Sequence, residues 1–291
     1  MSSKNDPSSS GLGRKIAKLV KVGAEIGGSA SGAALGFIIN GPAGALAGSA
    51  SSPILISLFK KVGSEITERI LGHREQVRIG AAYVIALERI AERINQGDEP
   101  RSDGFFDADV GQRSAAEEIL EGILLAAQRE HEEKKVKFYG RLLANLAFEV
   151  GVDRGYANFL LGFAQRMSYR QLCIISIFGR KDEMPKKPRP EEPAYIKSEL
   201  SINSFRLNPQ LSNDNLLRVP LEMAIPDLAL EIIELKNYGI FEKPLLDPEI
   251  LGSYSQLDLS EIGKILFNLM DLKSISMIDL VPIAGKLGFG R

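Results

Sequence analysis

Between Ile26 and Phe59 the chain carries no charged side chain, and Gly, Ala and Ser fill much of the stretch. Few folds accommodate such a segment. Gly28, Gly32, Gly36, Gly44 and Gly48 share one four-residue register, whose missing member is Asn40. A spacing of four keeps small residues on one helical face. In water each glycine inside a helix costs about 0.5–1 kcal/mol relative to alanine. Close approach of two backbones offsets that cost, as in small-xxx-small packing of helices in lipid. Asn40-Gly41-Pro42 interrupts the run, and Pro42 disfavours helical geometry at the residue before it. The expectation is a glycine-rich helical hairpin with arms Ile26–Ile39 and Ala43–Phe59. At ~1.5 Å per residue the arms reach ~21 and ~26 Å, short of a ~30 Å hydrocarbon core. Insertion would therefore require bilayer thinning or self-association through the glycine faces. The strongly apolar residues, Phe37, Ile38 and Phe59 among them, gather at the ends of the arms.

Basic residues flank the run: Lys15, Lys18 and Lys21 before it, Lys60 and Lys61 after it. Cations at both outer ends and none at the turn keep both termini on the cytoplasmic side of an inserted hairpin. The segment Gly11–Ile26 has Ile16, Leu19, Val20 and Val22 towards one side and the lysines towards another. It suits an anionic lipid surface, and equally an ordinary amphipathic helix packed on protein. A second reading of the whole run is internal packing in a soluble helical protein; its length and lack of charge favour the membrane.

The remaining sequence divides by composition. Residues 1–25 form a disordered, serine-rich lead followed by the basic segment, and residues 26–59 the hairpin. Residues 60–180 read as a helical domain. One helix is expected through Ile94, ended by Asn95-Gln96-Gly97; a polar loop follows with an exposed Phe105-Phe106 pair. A further helix opens with Ser114 as cap and Glu117 three residues on. It is expected to run through Leu146, across the charged patch REHEEKK, whose Glu130, Glu132 and Glu133 read as a solvated face. Two shorter helices surround RMSYRQL. Residues 181–193 (KDEMPKKPRPEEP) are a linker. Residues 194–291 read as a small α+β module of winged-helix-like outline, with helices at Leu228–Leu235 and Ser260–Leu269 and short strands in NYGIFEKPLL and YSQLDL. The fold class expected is mainly α.

Several functions are disfavoured. A net charge of -1 and a helix near Lys264 flanked by acids speak against nucleic acid as a partner, because phosphate contacts supply most of that affinity. His73 and His131 stand far apart and outside any HExxH pattern, and a lone cysteine completes no zinc site. No GxxxxGK[ST], GxSxG or strand-borne GxGxxG occurs. The expectation is therefore no enzyme, no cofactor and no metal. Cys173, within LCIISIF, reads as a core thiol in a reducing compartment.

The segments KFYGRLLANLAFEV, YANFLLGFAQRMSYRQLCIISIF, LEIIELKNYGIFEK and LDLSEIGKILFNLM resemble bacterial proteins of the abortive-infection alpha (Abi-alpha) type, over Ser114–Leu272. The resemblance implies a phage-defence setting, with action by harm to the infected cell, and transfers no catalytic residue. Combined with the hairpin, it leads to the expectation of an oligomerising, pore-forming or membrane-disrupting effector. Its partners would be copies of itself, inner-membrane lipid, and a sensor protein or phage component. It would lie on the cytoplasmic face of the inner membrane or within it, with a soluble form before activation.

Overall fold

A computed structural model describes residues 7–27, 52–69, 71–108, 110–184, 226–242, 254 and 257–289. The described residues form ten α-helices and no strand. In chain order these are α1 (Pro7–Gly27), α2 (Ser52–Thr67), α3 (His73–Asn95), α4 (Ala115–Arg129) and α5 (Glu133–Leu146). They continue with α6 (Arg154–Arg166), α7 (Tyr169–Gly179), α8 (Pro226–Asn237), α9 (Glu261–Leu269) and α10 (Met277–Lys286). Two compact units result: Met1–Leu172 with Ile265–Ser274, and Cys173–Lys264 with Ile275–Arg291.

The first unit is built around α3. Every residue from Ile79 to Leu87 is buried, as expected of a helix enclosed on all sides rather than presenting one apolar stripe. Small residues make that enclosure possible. A Cβ on Gly23 of α1 would lie 2.1 Å from the Gly80 carbonyl carbon, and one on Gly140 of α5 would lie 2.6 Å from the Ala82 carbonyl oxygen. Thus α1 and α5 both meet α3 backbone to backbone. On α1, Ile16, Leu19 and Val20 are buried, whereas Lys18 and Lys21 are exposed. The apolar side of the basic segment is therefore spent on protein packing. Helix α1 also begins at Pro7, inside the lead expected to be disordered, and proline suits a first helical position.

Helix α2 runs through Lys60 and Lys61 without a break. Leu55, Ile56, Leu58, Phe59, Val62 and Ile66 are buried along it. Phe59 meets Tyr83 edge-on, 5.2 Å between ring centroids, and the Tyr83 hydroxyl donates to the Phe59 carbonyl at 2.8 Å. Burial holds the Tyr83 phenol far above its usual range.

Helix α3 ends at Asn95, and Gly97 takes a left-handed φ of 95°, the chemistry for which glycine is chosen after a helix. In the loop that follows, Phe105 is buried rather than exposed. The Arg101 guanidinium stacks 4.2 Å from its ring and donates to the Val152 carbonyl at 2.7 Å. Ser114 caps α4 by accepting the Glu117 N–H at 3.1 Å. The Glu117 carboxylate pairs with Lys61 at 2.8 Å instead of returning to the cap. The return of the chain at residues 265–274 completes this unit: the Asn145 amide donates to the Leu269 carbonyl at 2.8 Å, and Arg141 pairs with Asp271 at 2.8 Å.

In the second unit Phe178 packs edge-on against Phe241 and Phe289, at 4.9 and 5.7 Å between centroids. The winged-helix-like α+β module is not supported by the described residues. Among the described residues the only β pairing is one antiparallel bridge, Phe241 with Leu259. Ser260, next in the chain, donates its hydroxyl to the Gly239 carbonyl at 2.5 Å and caps α9 by accepting the Gly263 N–H at 3.2 Å. A helix that starts one residue beyond the bridge leaves no length for a ladder.

Candidate functional site

The sequence places its candidate residues on the run and its flanks. Gly28, Gly32, Gly36, Asn40, Gly44, Gly48, Phe37 and Ile38 lie outside the described residues. Phe59, expected at a membrane or self-association surface, is inside the first unit against Tyr83. Lys15 falls within α1, and Lys18 and Lys21 are exposed on it. Lys60 is half-buried on α2, and Lys61, 53% exposed, pairs with Glu117. No described helix is long and apolar enough to cross a membrane.

A second site arises where α4 and α5 separate. The charged patch does not continue the helix. Arg129 is the last residue of α4, Glu130 is extended at φ -69° and ψ 126°, and α5 begins at Glu133. That turn swings Glu130 inward, leaving its side chain 5% exposed. Positions 135 and 139 lie four apart on one face of α5, and that face meets it. Glu130 Oε2 pairs with Lys135 Nζ at 2.6 Å, with the lysine side chain 3% exposed, and accepts the Tyr139 hydroxyl at 2.8 Å. Its Oε1 accepts the Glu132 N–H at 3.0 Å. Lys135 donates further to the Gln165 carbonyl at 3.3 Å. Glu130, read as part of a solvated face, is thus the centre of a buried network. The correction follows from the helix break, since a continuous helix would have kept its carboxylate outside.

Burial alone would raise the Glu130 carboxyl. The Lys135 ammonium, the Glu132 N–H and the Tyr139 hydroxyl outweigh it and hold the group below its ordinary value. Burial, then the Glu130 charge, pushes the Tyr139 phenol far up. At neutral pH the network is a carboxylate, an ammonium and a neutral phenol. A carboxylate gripped by three donors is a weak base, so the arrangement suits holding charge better than moving protons.

Beyond the ion pair opens a cleft of about 510 Å³, with Leu125, Ala126 and Met167 supplying apolar wall and Arg129, His131 and Arg166 charged or polar lining. Glu132, also on the cleft, accepts the Tyr169 N–H at 2.9 Å at the start of α7. Ser168 and Gln171 cap that helix reciprocally, at 3.1 and 2.8 Å. Glu130, His131 and Glu132 place one ligand atom each within 4.8 Å of one another. They fit a cation poorly, because Glu130 Oε2 already faces an ammonium and Glu132 Oε2 holds an N–H. Sequence reasoning had no signal for this cleft beyond the Lys135/Tyr139 spacing.

Compared with known protein families, curated proteins and solved structures, the chain matches none.

Proposed function

We propose that this protein is a membrane-associating, self-assembling effector that disrupts or permeabilises the bacterial inner membrane in anti-phage defence, with its helical units holding or sensing. The observation that carries the reading is the uncharged run from Ile26 to Phe59 and its four-residue glycine register. The position of the run adds support. The helix before it, α1, and the helix after it, α2, both belong to the first unit, so the run is held at both ends by one body. A segment tethered at both ends in this way reaches a bilayer as a hairpin, with both ends on one side. The resemblance to Abi-alpha proteins supplies the defence setting.

A soluble scaffold or adaptor is the second reading, favoured by the burial of Leu55 to Phe59 within the first unit. One experiment separates the two. Full-length protein and a variant in which residues 28–51 are replaced by a short Gly-Ser joint are expressed under induction, sparing α1 and α2. The effector reading expects full-length protein in the carbonate-resistant membrane pellet, with collapse of membrane potential and growth, and neither effect in the variant. Full-length protein wholly in the soluble fraction, without toxicity, overturns it.

A further inference from the structure

We infer that the cleft between α4, α5 and the start of α7 is a binding site for a phosphate group. Its charge balance points there. Seven ionisable side chains line the cleft: Arg129, Glu130, His131, Glu132, Lys135, Tyr139 and Arg166. Both carboxylates are already engaged, Glu130 by the Lys135 ammonium and Tyr139 hydroxyl, Glu132 by the Tyr169 N–H. Neither guanidinium pairs with a carboxylate, although that of Arg166 stands 5.8 Å from the Phe163 ring centroid. Arg129 and Arg166 are exposed, and neither has a carboxylate within ion-pair distance among the described residues. Arg166 Nε donates to the Gly162 carbonyl at 3.3 Å, which leaves the two terminal nitrogens of its fork for a ligand.

Paired guanidiniums recognise phosphate through two parallel N–H donors each, a geometry lysine does not offer. The cleft supplies what an open surface lacks. Its floor is an ion pair less than one-tenth exposed, and its wall is Leu125, Ala126 and Met167. A few convergent polar groups on an apolar wall are the usual form of a small-molecule site. The floor pair holds its own charges neutral overall, and the two guanidiniums outnumber the one remaining carboxylate, Glu132, so the cleft favours an anion.

The phosphate could be carried by a free molecule or by a lipid headgroup, and two arms on full-length protein distinguish the sources. Inorganic pyrophosphate is titrated by calorimetry, and vesicles of phosphatidylglycerol are compared with vesicles of phosphatidylcholine by co-sedimentation. Each is repeated with R129Q/R166Q, whose substitutions are exposed and leave the Glu130–Lys135–Tyr139 network intact. The expected result is saturable pyrophosphate binding, or phosphatidylglycerol binding above the phosphatidylcholine level, weakened at least about tenfold in the variant, as for loss of charge-assisted contacts. Binding in the first arm assigns a free phosphate compound, and binding in the second alone assigns a headgroup. Absence of both, or binding equally strong in R129Q/R166Q, overturns the site. The calorimetric arm does not depend on whether residues 28–51 enter a membrane, so failure of the effector reading leaves it standing.

Discussion

Lys135 and Glu130 compensate each other out of reach of water, so removing either one exposes the other to an apolar environment. Lys135→Met should lower stability by about 3–5 kcal/mol, whereas Lys135→Met with Glu130→Leu should recover much of the loss, because no charge is then left buried. A double-mutant cycle by urea unfolding measures the difference. The pH dependence follows from the same group. Glu130 is held below its ordinary value of 4.5 in the folded protein, so its contribution is present above that value and lost as pH falls through the lower folded one. Glu130→Gln should therefore be less stable at neutral pH and show a shallower decline on the acid side, read from urea midpoints between pH 3 and 7. In the sequence this residue looks like its neighbours Glu132 and Glu133. Acidic runs on helices are usually solvated, and only the backbone turn at Glu130, fixed by packing of α5 on α3, distinguishes it. Cys173 was legible because its apolar neighbours are its own chain, and it is buried.

Helices announced themselves where local chemistry decides them. Gly97 after α3, Ser114 before α4 and Ser260 before α9 were all readable as punctuation, and each acts as such in the structure. The separation of α4 from α5 was not, because neither glycine nor proline marks it. Short strands were read in NYGIFEKPLL and YSQLDL, yet among the described residues one bridge forms, Phe241 with Leu259. Glycine close packing was legible as a principle, and the described structure employs it at Gly23 of α1, Gly80 of α3 and Gly140 of α5. Gly80→Ala should accordingly destabilise by about 1–3 kcal/mol, since the obstacle 2.2 Å from its Cβ is the Leu19 carbonyl oxygen, which cannot rotate aside. Chemical denaturation gives the number, and a stabilised variant would contradict the crossing. Tyr83→Phe tests the neighbouring seam. It removes the hydroxyl that donates to the buried Phe59 carbonyl at 2.8 Å, and should cost about 0.5–1.5 kcal/mol by the same measurement.

At the scale of the whole chain, the sequence divides where composition changes, and the structure divides by contact. The two agree that a helical region follows the uncharged run. They part at residues 265–274, which close the first unit although they lie beyond the proline-rich linker. Asn145, the last residue of the LLAN segment, is the reason: its buried amide is satisfied by the Leu269 carbonyl, a partner more than a hundred positions away that no local pattern could reveal. A chain stopped at Gly179 should therefore melt below the full-length protein by several degrees, since loss of one buried hydrogen bond and the Arg141–Asp271 pair removes about 2–4 kcal/mol. Differential scanning calorimetry of the two chains decides it, and equal melting temperatures would show that residues 265–274 are dispensable to the unit.

That late closure also sets a clock during synthesis. The ribosome releases Ile26–Phe59 first, but the last pieces of the unit that anchors both of its ends, through Ser274, emerge more than two hundred residues later. At roughly 5–20 residues per second the interval is roughly ten to forty seconds. For that time the uncharged run has been made but the unit that anchors both of its ends is incomplete, so slower translation lengthens the interval between the two.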